Sequence, residues 1–169
     1  MTEQVPKSEM PTRKRPSRGE IFMRTAHLFA ERSTCNRGQV GAVLVKDNRI
    51  ISTGYNGAPP GMPHCTEVGC DELVLYKRTP AMLASTYEKV ELGCQRTIHA
   101  EANVLLYAAR HGIPTQGSCL YCTHSPCERC VLLMANAGIT RLIYNKPYRA
   151  TPWDLIKQLG IEVKGREGG

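Results

Sequence analysis

Two short stretches carry residue types whose spacing suits metal chemistry: His99-Ala100-Glu101 and Pro126-Cys127-Glu128-Arg129-Cys130. Cysteines three apart at the start of a helix point their sulfurs the same way, and one imidazole beside them completes three protein ligands for zinc. Three ligands leave the fourth tetrahedral position for water, which separates a catalytic zinc from a closed structural one. Zinc brings the pKa of such a water towards neutrality and so supplies a nucleophile. Glu101, in a helix's first turn and two residues past the imidazole, is placed to carry protons between an attacking water, a ring nitrogen and a departing amine. The plainer reading is a structural Cys/His zinc knuckle. It requires a fourth protein ligand, for which His124 is nearest in sequence, and it leaves Glu101 without a task.

The other cysteines extend the metal argument. There are eight, at positions 35, 65, 70, 94, 119, 122, 127 and 130, and no secretion signal precedes them, which favours metal over a disulfide framework. Cys35, Cys65, Cys70 and Cys94 are distant in sequence, yet four converging thiolates would make a closed tetrahedral zinc site that pins a long loop. The alternative is unpaired thiols serving as small buried hydrophobes. Cys119 and Cys122 lie three apart on an expected strand, so they face opposite ways and belong to the core rather than to a metal.

These residues need elements to hold them. Ser17-Arg18-Gly19-Glu20 has the form of a capping box opening a helix to about Arg32, with Phe22, Ala26 and Phe29 on one face. Residues 39–46 and 49–54 are β-rich runs around Asp47-Asn48, which reads as a hairpin. From Tyr55 to about Arg78 the chain is expected to be irregular, and a helix is expected over about 80–92. A further helix runs from about Ile98 to Arg110. After it, strands at 118–123, 140–144 and 161–164 alternate with helices over about 126–137 and 151–160, Pro126 being placed at a first helical position. The pattern predicts a three-layer α/β/α fold with helices on both faces of one sheet. Residues 1–17 read as a basic disordered tail and 18–169 as a single domain.

Charge and hydropathy narrow the class. The net charge is +7, but Lys7, Arg13, Lys14, Arg15 and Arg18 against Glu3 and Glu9 place +3 of it in the first 19 residues. A basic tail of that kind is ordinarily a solvated arm, so nucleic acid is not the expected partner. No apolar run is long enough to span a membrane, and a cytoplasmic location is expected.

The H-x-E…P-C-x-x-C pattern is the known signature of zinc nucleobase deaminases. The chain further resembles the deoxycytidylate (dCMP) deaminases of bacteria, phages and eukaryotes from about Phe22 to Val163. The resemblance rests on Ser33-Thr34-Cys35-Asn36-Arg37, Val40-Gly41-Ala42-Val43, Gly54-Tyr55-Asn56-Gly57, Arg96-Thr97-Ile98-His99-Ala100-Glu101 and Thr123-His124-Ser125-Pro126-Cys127. It implies a cytidine-deaminase-like fold with a mixed five-stranded sheet. It also implies hydrolysis of dCMP to dUMP and ammonia, supplying dUMP for thymidylate synthesis. Catalytic zinc would sit on His99, Cys127 and Cys130 with Glu101 as proton carrier. Asn56 would meet a sugar hydroxyl, although it could equally cap its turn. Arg37 would take the phosphate, Tyr148 would close over the nucleotide, and the Ala100 backbone would meet the base. A second zinc occurs in some relatives with a His in place of one Cys, which makes His64 an alternative ligand. Hexamers regulated by dCTP and dTTP, with Mg accompanying the triphosphate, are the implied assembly and effectors. A tRNA adenosine deaminase shares both zinc motifs and is the competing enzyme. A non-catalytic zinc-binding interaction module is the competing class, and the intact Glu101 speaks against it.

Overall fold

The computed structural model describes residues 14–78 and 87–165. Its centre is a five-stranded sheet of order β2-β1-β5-β6-β7, built from β1 (Gly41–Lys46), β2 (Arg49–Tyr55), β5 (Cys119–His124), β6 (Arg141–Lys146) and β7 (Glu162–Gly165). β1 pairs antiparallel with both β2 and β5, whereas β5–β6 and β6–β7 are parallel, so the sheet is mixed. Helix α1 (Arg18–Ala30) covers one face; α3 (Ala100–Arg110), α4 (Glu128–Asn136) and α5 (Trp153–Gln158) cover the other. This is the three-layer α/β/α arrangement the alternating pattern predicts.

Strand periodicity sorts the core into two clusters. Ala42 and Leu44 of β1 with Leu120 and Cys122 of β5 pack under α3 and α4, against Val104, Val131 and Met134. Val43 and Val45 with Cys119 and Tyr121 turn to α1 and meet Phe22, Met23 and Ala26. Cys119 and Cys122 therefore sit on opposite faces, as a period of two requires. The β1–β2 turn places Asp47 and Asn48 at φ 48° and 59°, the paired left-handed conformation of a tight hairpin turn. Ser17 caps α1 as its sequence predicts: Glu20 N–H donates to Ser17 Oγ at 3.2 Å, and Ser17 N–H donates to Glu20 Oε2 at 2.7 Å.

Two expectations are corrected. The stretch from Tyr55 to Arg78 is not irregular throughout, since it contains α2 (Cys65–Val68) and β3 (Glu72–Arg78). The helix expected over about 80–92 is not formed by its second half. Residues 87–92 belong to β4 (Tyr87–Cys94), which pairs antiparallel with β3 as a separate two-stranded sheet; residues 79–86 lie outside the described residues, as do the tail residues 1–13. Glu, Lys and Leu in this stretch favour helix locally, but pairing with β3 overrides so weak a preference. A smaller difference concerns α4, which begins at Glu128 with Cys127 as N-cap, so Pro126 precedes the helix.

The sheet and α3 approach closely where α3 must present its N-terminus. A methyl group on Gly54 would lie 2.8 Å from the Ala100 carbonyl oxygen and 2.9 Å from Val104 N. Backbone cannot yield as a flexible side chain can, and overpacking of this kind costs roughly 1–3 kcal/mol or more. Gly54→Ala is expected to lower Tm by about 3–10 °C and to weaken zinc retention, because α3 must shift. Thermal melts with metal analysis check it. An unchanged Tm would mean that α3 moves freely.

Candidate active site

Two helix N-termini converge to form the site. His99 is the N-cap of α3 and Cys127 the N-cap of α4, with Glu101 and Cys130 in the first turns of their helices. Each helix offers the positive end of its dipole here, which favours thiolate over thiol. His99 Nδ1 lies 3.5 Å from Cys127 Sγ and 3.5 Å from Cys130 Sγ. Tetrahedral zinc with ordinary Zn–N and Zn–S bonds sets nitrogen and sulfur about 3.5 Å apart, so the donor set and its spacing fit the metal. His124 does not join this group among the described residues. The knuckle reading thereby loses its fourth ligand.

The electrostatics of the trio suit ligation. Cys127 is held down to about 4, first by its hydrogen bond with Cys130 and then by His99 against the opposing effect of burial. The His99 imidazole is raised, chiefly by hydrogen bonding to Cys127. Cys130 is raised, first by its hydrogen bond with Cys127 and then by burial. Glu101 is only 4% exposed, and burial pushes its carboxyl up to about 7. A carboxyl with that value both takes and releases protons near neutral pH.

A pocket of about 300 Å³ opens over these groups, and His99, Ala100, Glu101, Arg37, Gly38 and Tyr148 are among its lining residues. Arg37 pairs with Glu72 at the start of β3, Nε to Oε1 being 3.5 Å. Asn56 is committed to the backbone before β1: it accepts from Val40 N–H at 2.8 Å, and its amide donates to the Gly38 carbonyl at 2.9 Å. It therefore shapes the turn that carries Arg37, and it keeps one amide hydrogen for another acceptor. Tyr148 lines the pocket on a loop fastened by Ser125, whose buried hydroxyl accepts from Tyr148 N–H at 2.6 Å and meets Thr151 Oγ1 at 2.6 Å. The sequence gives one sign of that role for Ser125, its place next to Pro126-Cys127. Ala100 is fully buried and lines the pocket.

The second set of cysteines comes together in part. Cys65, Cys70 and Cys94 have sulfurs within 4.8 Å of one another. The 3.6 Å between Cys65 Sγ and Cys94 Sγ is far too long for a disulfide and close to the roughly 3.8 Å of two thiolates on one tetrahedral zinc. Burial pushes the Cys65 thiol up to about 12. At Cys94 burial acts upward too, but hydrogen bonds from the Arg96 and Asp71 backbone outweigh it, so the thiol is lowered. Cys35 is buried and lines the active-site pocket, outside this trio. His64 is also outside it, although its Nδ1 is buried without a hydrogen-bond partner among the described residues.

Comparison with known proteins agrees with this geometry. The ComE operon protein 2 of Bacillus subtilis is 38% identical over 152 residues, covering 89% of this chain and 71% of that protein. A deoxycytidylate deaminase of Mycobacterium phage D29 is 42% identical over 132 residues, covering 78% of this chain and 97% of the phage protein. The dCMP deaminase of cyanophage S-TIM5, solved in complex with dCMP and dUMP, superimposes with a TM-score of 0.70 at 34% identity over 90% of this chain and 99% of that one. The model of the cytidine and deoxycytidylate deaminase zinc-binding region matches residues 16–146, spanning both helix N-termini that meet at His99 and Cys127, and the chain belongs to that family.

Proposed function

We propose that this chain hydrolyses dCMP to dUMP and ammonia, with residues 18–169 as one catalytic domain and residues 1–17 as a basic arm. The observation that carries this reading is the buried Glu101 beside the His99–Cys127–Cys130 trio, in a pocket that Arg37 also lines. Zinc, when bound by the trio, supplies Lewis acidity that makes water nucleophilic at neutral pH. Glu101 takes a proton from the attacking water and passes it to ring N3. As the C4–N4 bond breaks and C4 keeps the new oxygen, Glu101 carries the second proton to the leaving amine, so that water and dCMP become dUMP and ammonia. The Ala100 backbone meets the base edge. The remaining amide hydrogen of Asn56 is free for a sugar hydroxyl, and Tyr148 covers the nucleotide. Ammonia release measured over dCMP, CMP, dCTP, deoxycytidine and tRNA tests this reading, with dCMP expected to lead. Release from tRNA alone would favour the adenosine deaminase, and no release from any would favour the interaction module.

Arg37 is the phosphate-recognising group in this reading, because its guanidinium offers paired donors to a dianion. Arg37→Ala is expected to lower kcat/KM for dCMP by about 10²-fold while deoxycytidine turnover changes little. Equal losses on both substrates would make Arg37 structural.

Cys65, Cys70 and Cys94 are read as ligands of a second, closed zinc, with Cys35 or His64 as the fourth. The spacing of the three sulfurs and the unpartnered Nδ1 of His64 support it. Self-association is supported by the apolar side chains left on the outside of α3 and α4, since Leu106, Tyr107, Leu132 and Leu133 are each about half exposed, while a hexamer in particular rests on family likeness. The effector reading for dCTP, dTTP and Mg rests on family likeness, and initial rates with each added test it.

A further inference from the structure

His124, which the zinc trio does not use, occupies the pocket wall at the end of β5. Its neighbour Thr123 is only 2% exposed, and the Thr123 hydroxyl has two partners. It accepts from Gly41 N–H at 3.2 Å and lies 3.2 Å from His124 Nδ1. A buried hydroxyl must place its own hydrogen somewhere. Gly41 is a donor, so among the described residues the acceptor open to it is Nδ1. The Thr123–Gly41 contact thus fixes His124 as the tautomer with hydrogen on Nε2. That Nε2 is not among the buried unpartnered atoms, and no hydrogen bond engages it among the described residues. His124 lines the pocket, and its Nε2–H is the donor this ring has left to offer there.

The surroundings of this donor are positive. Lys146 stands directly beside His124 across the β5–β6 pairing. Burial first, then the charges of Lys146 and His27, hold the ring below its ordinary pKa, so it is neutral near pH 7. A neutral N–H donor in a positive setting suits an anionic oxygen better than a sugar hydroxyl or a base carbonyl.

We propose that His124 donates a hydrogen bond from Nε2 to the phosphate of the bound nucleotide, and that Thr123 and the Gly41 backbone fix the tautomer that makes this contact. It rests on the reading of the substrate as a nucleoside monophosphate and adds a specificity-determining residue to it.

Two histidine replacements separate the ring atoms. Gln sets an amide donor near the position of Nε2, whereas Asn sets one near Nδ1. His124→Asn is expected to raise KM for dCMP roughly 10- to 100-fold, the worth of one hydrogen bond to a charged group, with kcat and deoxycytidine turnover little changed. His124→Gln is expected to recover most of the loss. Nitrogen-15 spectra of the histidine rings in the zinc-loaded wild type should show Nδ1 bare and Nε2 protonated, and inorganic phosphate should perturb Nε2 of His124 above all. A bare Nε2, equal behaviour of the two variants, or equal losses on dCMP and deoxycytidine would each overturn the proposal. If the wild type fails to release ammonia from dCMP, the deaminase reading falls, and the ring spectra with phosphate still decide the role of His124.

Discussion

Glu101→Gln is expected to lower dCMP turnover by about 10³-fold or more, with zinc content and fold as in the wild type. Three features make the effect large. The carboxyl is 4% exposed beside the trio, so bulk water cannot replace it as a proton carrier. Burial sets it to about 7, matched to a reaction in which the same group first takes a proton and then returns one. It serves more than one proton transfer, so its loss weighs on every step rather than on one. An amide has the same shape and can neither accept nor release a proton at neutral pH. Burial already favours the uncharged carboxyl over the carboxylate, so the neutral amide leaves the packing of α3 undisturbed. Steady-state kinetics alongside metal analysis and a thermal melt provide the check. Near-wild-type turnover in a zinc-loaded variant would refute Glu101 as the proton carrier. Lost turnover together with lost zinc would instead show that the carboxylate helps hold His99.

The contrast between what was legible and what was not follows the range of the interactions. His99-Ala100-Glu101 and Cys127 to Cys130 are local signals, and each spacing acquires its geometry from a single helix N-terminus. The Ser17 cap, the Asp47-Asn48 turn and the opposed faces of Cys119 and Cys122 are local as well. The β3–β4 pair was missed because its strands are separated by residues 79–86 and joined only by long-range pairing, while their Glu, Lys and Leu content reads as helix. Asn56 shows the same limit at one side chain. A Gly-Tyr-Asn-Gly turn announces an amide near a ligand, but nothing local says that Val40 and Gly38 claim both ends of it. His124 stood out in the sequence as a metal ligand of last resort. Its tautomer depends on Gly41, 82 residues from Thr123, a contact created by the β1–β5 pairing.

The second zinc should matter most to the segment that lacks a core of its own. β3 and β4 form a two-stranded sheet outside the main one, and an isolated hairpin is marginal in water. Its base is where the sulfurs gather. Cys70 lies just before β3, Cys94 ends β4 opposite Glu72, and Cys65 opens α2. A metal held there would close the hairpin and tie it to α2. The Asn36 amide, donating to the Cys65 carbonyl at 2.8 Å, carries the restraint to the turn that holds Arg37. Two zincs per chain are therefore expected in the wild type, and one in Cys70→Ser and in Cys94→Ser. Structural zinc contributes on the order of 10 kcal/mol to the fold it closes, so even partial loss should let the hairpin open. Trypsin cleavage at Lys77, Arg78 and Lys89 should then accelerate roughly tenfold or more, while the sheet and its helices resist. Because Arg37 loses its anchor, KM for dCMP should rise in both variants. Loss of the zinc at His99, Cys127 and Cys130 should instead abolish turnover and leave the hairpin protected. Elemental analysis, limited proteolysis and kinetics on the same preparations separate the two metals. One zinc per chain in the wild type, unchanged in both variants, would leave Cys65, Cys70 and Cys94 as packing residues and the hairpin held by other means.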